Sequence, residues 1–138
     1  MAAKLSSIML IDDNKHDNFF HEFIIKDGNY ADVIITKESA IDALDYLVKR
    51  KETADPQPDL IFLDINMPRM NGWEFLEEYE KLDKELQGKV IVVMLTTTES
   101  SPDKVKAVSK DITAAFKIKP VNEPMLDELI SMYFTKTQ

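Results

Sequence analysis

The sequence predicts an α/β domain in which five parallel strands alternate with five helices that cover both faces of one sheet. Three observations carry this. Short apolar runs rich in Ile, Val and Leu recur along the chain and are continuous rather than alternating, as in strands buried on both faces. The stretches between them carry apolar residues at helical spacing, bounded by capping and stop residues. The order is strand then helix throughout, which implies right-handed crossovers in a parallel sheet.

The elements follow in order. Ser7 to Ile11 is the first strand and runs into Asp12-Asp13. Phe19, Phe20, Phe23 and Ile24 then fall at helical spacing and read as a core-facing side, with Gly28 as the stop. Ala31 to Thr36 is a second strand whose polar start and short length suit a sheet edge. Ser39 caps a helix with Ile41, Leu44, Leu47 and Val48 on one face, and the polar stretch Lys49 to Pro58 reads as a loop. Asp59 to Leu63 leads into Asp64 and an irregular loop ending at Gly72. Trp73, Phe75, Leu76, Tyr79 and Leu82 mark a third helix, ended by Gly88. Val90 to Leu95 leads into Thr96, and Ser101-Pro102 opens a fourth helix with Val105 and Val108 inward. Ala114 to Ile118 leads into Lys119-Pro120, and Lys117 within that run suits an edge strand. Asn122 caps the last helix, with Pro124 in its first turn and Met125, Leu126, Leu129, Ile130 and Tyr133 along it. Leu126, Ile130 and Phe134 form a second stripe, read equally as burial at the domain edge or as a dimer or partner contact.

The 138 residues are expected to form a single domain, residues 1–138 with a core from about 7 to 134, leaving no room for a second, output domain. Hydrophobic content of 44% and charged content of 30% are globular values. A net charge of −8 argues against unspecific nucleic-acid binding. The absence of cysteine excludes disulfides and thiol chemistry and fits a cytoplasmic protein. No apolar stretch is long enough to cross a bilayer, and Asp12-Asp13 interrupts the first run too early for a signal peptide.

The strand exits carry the chemistry. In open α/β sheets ligands bind at the carboxyl edge of the strands. That edge would gather Asp12, Asp13, Asp64, Thr96 and Lys119. Three close carboxylates require a proton or a cation among them, and Mg²⁺, an oxygen-seeking ion satisfied by few carboxylates, is the natural choice; Mn²⁺ is an admissible substitute. No His or Cys stands at a strand exit, which argues against zinc. Asp64 follows the central strand, is ionised without a general base, and suits the role of phosphoryl acceptor. Lys119, the Thr96 hydroxyl and loop amides would meet the oxygens of the incoming group. Taken singly, paired acids after a strand, a Thr at a strand end and a Lys-Pro turn are ordinary features. Their placement one per strand exit is what points to metal and phosphoryl chemistry.

With these residues in view, the chain resembles a response-regulator receiver domain of two-component signalling, over about Ser7 to Phe134. Asp12-Asp13 match the metal-binding acids, Asp64 and the loop to Gly72 the phosphoacceptor segment, Thr96 the switch hydroxyl, and Lys119-Pro120 the phosphate-sensing lysine and its proline. The resemblance implies a flavodoxin-like three-layer fold with strand order 2-1-3-4-5. It implies a histidine kinase or histidine phosphotransfer protein as donor, an Asn66 backbone carbonyl on the metal, and a cis Lys119-Pro120 bond. It further implies that Thr96 and an aromatic, here Phe116, move on phosphorylation and remodel the surface of the fourth helix, fifth strand and fifth helix. That surface would control an unidentified downstream protein and could form a homodimer. Such a domain is a signalling receiver, not an enzyme in the ordinary sense; only its own phosphotransfer and slow dephosphorylation are expected.

Several positions depart from the family pattern. Thr97 is larger than the usual residue and would crowd the donor; Phe116 lacks the hydroxyl of the frequent Tyr; Ile112-Thr113 replaces a frequent Gly-Ala. A phosphohydrolase would need an acid two residues after Asp64 to protonate the leaving group, and Asn66 stands there. A flavodoxin-like cofactor binder would need a Ser/Thr/Gly-rich loop after the first strand, where the two aspartates stand instead. The remaining alternative is a degenerate receiver that serves as a phosphorylation-independent docking adaptor. His16 and His21 read as helix-surface and structural residues, and Phe19, Phe20 and Phe23 as core.

Overall fold

Five apolar segments pair into one parallel sheet. The structure is a computed structural model and describes residues 5–53, 58–65, 67, 69–81, 91–96 and 113–134. The strands are β1 (Leu5–Ile11), β2 (Ala31–Lys37), β3 (Leu60–Asp64), β4 (Ile91–Thr96) and β5 (Thr113–Ile118), in spatial order β2-β1-β3-β4-β5. The described helices are α1 (Lys15–Asp27), α2 (Ala40–Thr53), α3 (Gly72–Glu80) and the C-terminal helix (Glu123–Tyr133). The helix expected from Ser101-Pro102 lies outside the described residues, as do Leu82, Gly88, Thr97 and Ile112.

Alternate residues of each central strand feed two separate cores, which explains why the runs are apolar throughout. On one face Met9, Ile11, Ile61, Leu63, Val92 and Met94 meet Ala40, Ala43 and Leu47 of α2 and Phe75, Leu76 and Tyr79 of α3. On the other, Ile8, Leu10, Leu60, Phe62, Val93 and Leu95 meet Ile25 of α1 and Met125, Leu126, Leu129 and Ile130 of the C-terminal helix. Each such large side chain contributes about 1.5–3 kcal/mol on burial. Leu126 and Ile130 are fully buried, so burial rather than a free partner stripe accounts for them. β2 and β5 lie at the sheet edges, and Lys117 on β5 reaches Glu128 at 2.8 Å.

The helix ends follow local chemistry. Asn14 accepts the backbone N–H groups of His16 and Asp17, and Asn71 forms a reciprocal capping box with Glu74. Ser39 Oγ accepts the Asp42 N–H, and Asn122 accepts the Met125 N–H with Pro124 in the first turn. Gly28 ends α1 in a right-handed conformation, while the left-handed residue is Asn29, with φ 58°. Gly28 is needed for space, since a Cβ there would collide with the Tyr30 ring.

Three expectations need correction. Phe19, Phe20 and Phe23 are 73%, 45% and 56% exposed, and α1 instead turns Asn18, His21 and Ile25 inward. The reason is hydrogen bonding: α1 lies over loop backbone that needs polar partners, and Asn18 and His21 supply them. On α2 the inward residues are Ala40, Ala43 and Leu47, while Ile41 and Val48 are 43% and 45% exposed. Small residues at that face let the helix lie close to the sheet. Lys49 to Thr53 also continues α2 rather than forming a loop. Lys49 pairs with Asp45 one turn back at 3.2 Å, and Arg50, Lys51 and Glu52 are good helix formers.

Candidate phosphoryl and metal site

The register of the sheet brings the strand exits together. Ile11 lies opposite Leu63, so Asp12 and Asp64 emerge side by side from β1 and β3. Asp64 lies opposite Leu95, and Thr96 opposite Ile118, so β4 and β5 deliver Thr96 and Lys119 to the same edge. Asp12, Asp13 and Asp64 each offer an oxygen within 4.8 Å of the others. Asp12 and Asp64 are buried and Asp13 is exposed, which places the cluster at a solvent-facing mouth.

Asp12 is held in place from both ends. Its Oδ1 accepts the Asn14 N–H at 2.9 Å, and its backbone carbonyl accepts from Asn18 Nδ2 at 3.0 Å. Asn18 Nδ2 also reaches the Lys37 carbonyl at 3.2 Å, so one amide ties the ends of β1 and β2. Among the described residues, the close partner of Asp12 Oδ2 is the Lys119 ammonium, an ion pair at 2.7 Å.

Lys119 is shared among acids. Its Nζ lies 2.7 Å from Asp12, 2.8 Å from Asp17 and 3.7 Å from Asp64. Burial pulls its pKa down, but the contacts with Asp12 and Asp17 and the charge of Asp64 outweigh it and leave the pKa above the ordinary lysine value. The Lys119–Pro120 peptide bond is cis, and the next residue, Val121, donates its N–H to His21 Nε2 at 3.2 Å. Burial lowers the His21 pKa, with the Lys119 charge acting in the same direction against Asp12 and Asp17.

Described residues of the loop after β3 are tied back to the edge that carries Asp64. Ile65 donates its N–H to the Leu95 carbonyl, Gly72 donates to the Ile65 carbonyl, and Arg69 adopts a left-handed φ of 68°. A Cβ on Gly72 would stand 2.9 Å from Ile65 Cα and 3.2 Å from the Asp64 carbonyl oxygen, so only glycine allows this approach without a shift. Asn66 lies outside the described residues, as do the side chains of Thr96 and Phe116.

Sequence reasoning missed Asp17 and Asn18. Asp17 stands one helical turn after Asp13, a spacing that could have placed it near the mouth. His21 is structural, as expected, but its partner is a backbone amide 100 residues away.

The donor set is oxygen-only: three carboxylates whose oxygens lie within 4.8 Å of one another at one solvent-facing mouth. Such a set fits a hard divalent cation such as Mg²⁺. Among the described helices none is long and apolar enough to cross a membrane.

Comparison with known proteins agrees with this fold. Residues 8–131 match the family model of the response regulator receiver domain. The chain is 31% identical over 97 residues to the response regulator Rcp1 of Synechocystis, covering 70% of this chain and 65% of that protein. It is 25% identical to the transcriptional regulatory protein CitT of Halalkalibacterium halodurans, covering 99% of this chain and 55% of that protein. The chain therefore spans about half to two thirds of the length of these relatives. Among solved structures, a two-component response regulator from Cytophaga hutchinsonii superposes with a TM-score of 0.84 at 27% identity, covering 97% of this chain and all of that one. A response regulator receiver protein from Dyadobacter fermentans gives 0.79 at 29% identity, with 95% and 99% covered.

Proposed function

The chain belongs to the response regulator receiver family, and we propose that it accepts a phosphoryl group on Asp64 and signals through the surface change that follows. The observation that carries this reading is the convergence of Asp12, Asp13 and Asp64 with Lys119 at one sheet edge.

In this reading a carboxylate oxygen of Asp64 attacks the phosphorus of a phosphohistidine on a histidine kinase or histidine phosphotransfer protein. An O–P bond forms, the P–N bond breaks, and its electron pair stays on the imidazole nitrogen. Asp12, Asp13, Asp64 and the Asn66 carbonyl would hold Mg²⁺, which supplies positive charge to the acids and to one phosphoryl oxygen. Lys119 and the Thr96 hydroxyl meet the other oxygens. The loop closed by Gly72 keeps its backbone against the acceptor, so loop amides can approach the bound group.

Phosphorylation would then replace the single carboxylate charge of Asp64 with a phosphoryl group carrying about −1.5 to −2, beside Lys119. Lys119 follows β5 directly, and the C-terminal helix follows it within a few residues. Movement of Lys119, Thr96 and Phe116 would therefore reshape the surface of the fourth helix, β5 and the C-terminal helix, the surface that would engage a downstream protein. A homodimer formed there would use exposed residues such as Ile118 and Met132, since Leu126 and Ile130 are committed to the core. The reading places the chain in the cytoplasm.

Intact-protein mass after incubation with acetyl phosphate tests the proposal. One added phosphoryl group that requires Mg²⁺ and is absent in Asp64→Asn is the expected result. Mass unchanged in wild type with Mg²⁺ present would remove the phosphorylation reading and favour a docking adaptor. Lys119→Ala should still accept the group but lose the accompanying change in amide exchange on the C-terminal helix.

A further inference from the structure

Among the described residues Lys119 has two close acidic partners, and one of them stands outside the metal cluster. Asp12 belongs to the group of three that can hold a cation. Asp17 does not; it sits in the first turn of α1, with its side chain 39% exposed, and its Oδ2 accepts from Lys119 Nζ at 2.8 Å. The acceptor Asp64 is farther, at 3.7 Å. The ammonium is thus drawn toward α1 and away from the residue it would serve.

An ammonium has three N–H donors. A cation in the acidic cluster would share the charge of Asp12 and weaken its hold on the amine. The charge of Asp17 would stay undiminished, because Asp17 is not among the cation's ligands. We propose that Asp17 is a positioning residue that restrains Lys119 in the unphosphorylated state and competes with the aspartyl phosphate for its ammonium. Phosphorylation then exchanges one anionic partner of Lys119 for another, and Asp17 sets how readily that exchange occurs. The inference rests on the proposed phosphorylation of Asp64.

The residue differs in kind from the three clustered acids. Removing one of them alters cation binding. Removing the charge of Asp17 leaves the three clustered carboxylates intact and removes one of the two close restraints on the lysine. Because Asp17 is partly exposed, its ion pair is of the modest kind, and its loss corresponds to a change of about two- to fivefold.

The test uses the full chain with wild type, Asp17→Asn and Asp17→Glu. Each is incubated with saturating Mg²⁺ and limiting acetyl phosphate, whose P–O bond breaks with acetate leaving. Intact mass gives the steady-state phosphorylated fraction, and calorimetry gives Mg²⁺ affinity on the same samples. The expected result is a ratio of phosphorylated to free protein raised about two- to fivefold in Asp17→Asn. Mg²⁺ affinity should be unchanged, and Asp17→Glu should behave as wild type because it keeps the charge. A purely structural role for Asp17 would lower thermal stability without raising the phosphorylated fraction. Equal or lower phosphorylation in Asp17→Asn, with wild type modified normally, overturns the inference and leaves the phosphorylation reading standing. No modification of wild type overturns both.

Discussion

His21 Nε2 accepts the backbone N–H of Val121 at 3.2 Å, which ties the middle of α1 to the residue that follows the cis Lys119–Pro120 bond. A neutral imidazole can accept that proton bond; a protonated one cannot. The pairing therefore links the protonation of one buried ring to the placement of the lysine at the candidate site.

This gives a pH dependence with a definite sign. The folded His21 pKa lies below its ordinary value of 6.5, mainly because of burial. Above that value both folded and unfolded chains leave the ring neutral, and the full contribution is present. As pH falls below 6.5 the unfolded chain takes up the proton first, so stability declines until pH reaches the lower folded pKa. Urea unfolding of wild type and His21→Gln at stepped pH should show a steeper decline in the wild type just below 6.5. Parallel profiles would remove His21 as the cause.

Mg²⁺ should stabilise the folded chain. Three clustered carboxylates repel one another, and the Lys119 ammonium beside Asp12 and Asp64 offsets only part of that repulsion. At a hundredfold excess over Kd, one bound ion adds about 2.7 kcal/mol to the unfolding free energy. Thermal melts should show a rise in Tm with Mg²⁺ that is reversed by a chelator and largely lost in Asp13→Asn. In metal-free buffer Asp13→Asn should melt at or above wild type, since a repulsive charge is gone.

Gly72→Ala should destabilise the fold by about 1–3 kcal/mol. The added methyl meets the Ile65 backbone at 2.9 Å, and backbone at that point cannot yield as a flexible side chain would. Denaturant midpoints measure the loss. An accompanying fall in phosphorylation by acetyl phosphate would show that the loop over Asp64 has shifted as well.

Phe19→Ser and Phe23→Ser should each change stability by no more than about 0.5 kcal/mol. Both rings are more than half exposed, at 73% and 56%. Ile25→Ala, on the inward face of the same helix, should lose about 2–5 kcal/mol, because its side chain is fully buried. Comparable losses at all three positions would contradict the observed rotation of α1.

The strands were legible because burial on both faces demands unbroken apolar runs, as in Ile8 to Ile11, Leu60 to Leu63 and Val90 to Leu95. Asp12, Asp13, Asp64 and Lys119 were legible for a related reason: once the strands are set, their carboxyl ends are set too. The helix faces were less so. Periodicity reports where apolar residues fall, not which side the sheet requires, and in α1 the loops beneath it require hydrogen bonds. Charged residues of high helix propensity at the end of α2 likewise resemble a loop until the Lys49–Asp45 pair is seen. Asp17 was hidden because a surface acid in a first helical turn is common, and only the 102-residue separation from Lys119 makes it informative.

Two of the side chains by which α1 grips the loops, Asn18 and His21, have a mechanical consequence. Asn18 is fastened to the ends of β1 and β2, and His21 to the turn after β5. A helix pinned by directional bonds at two points along one side is not free to roll, whereas one resting on oil can slide between nearly equal packings. A shift of the turn after β5 would therefore pull on α1 at His21 while Asn18 holds it to the ends of β1 and β2, and the three exposed phenylalanines would move with the helix.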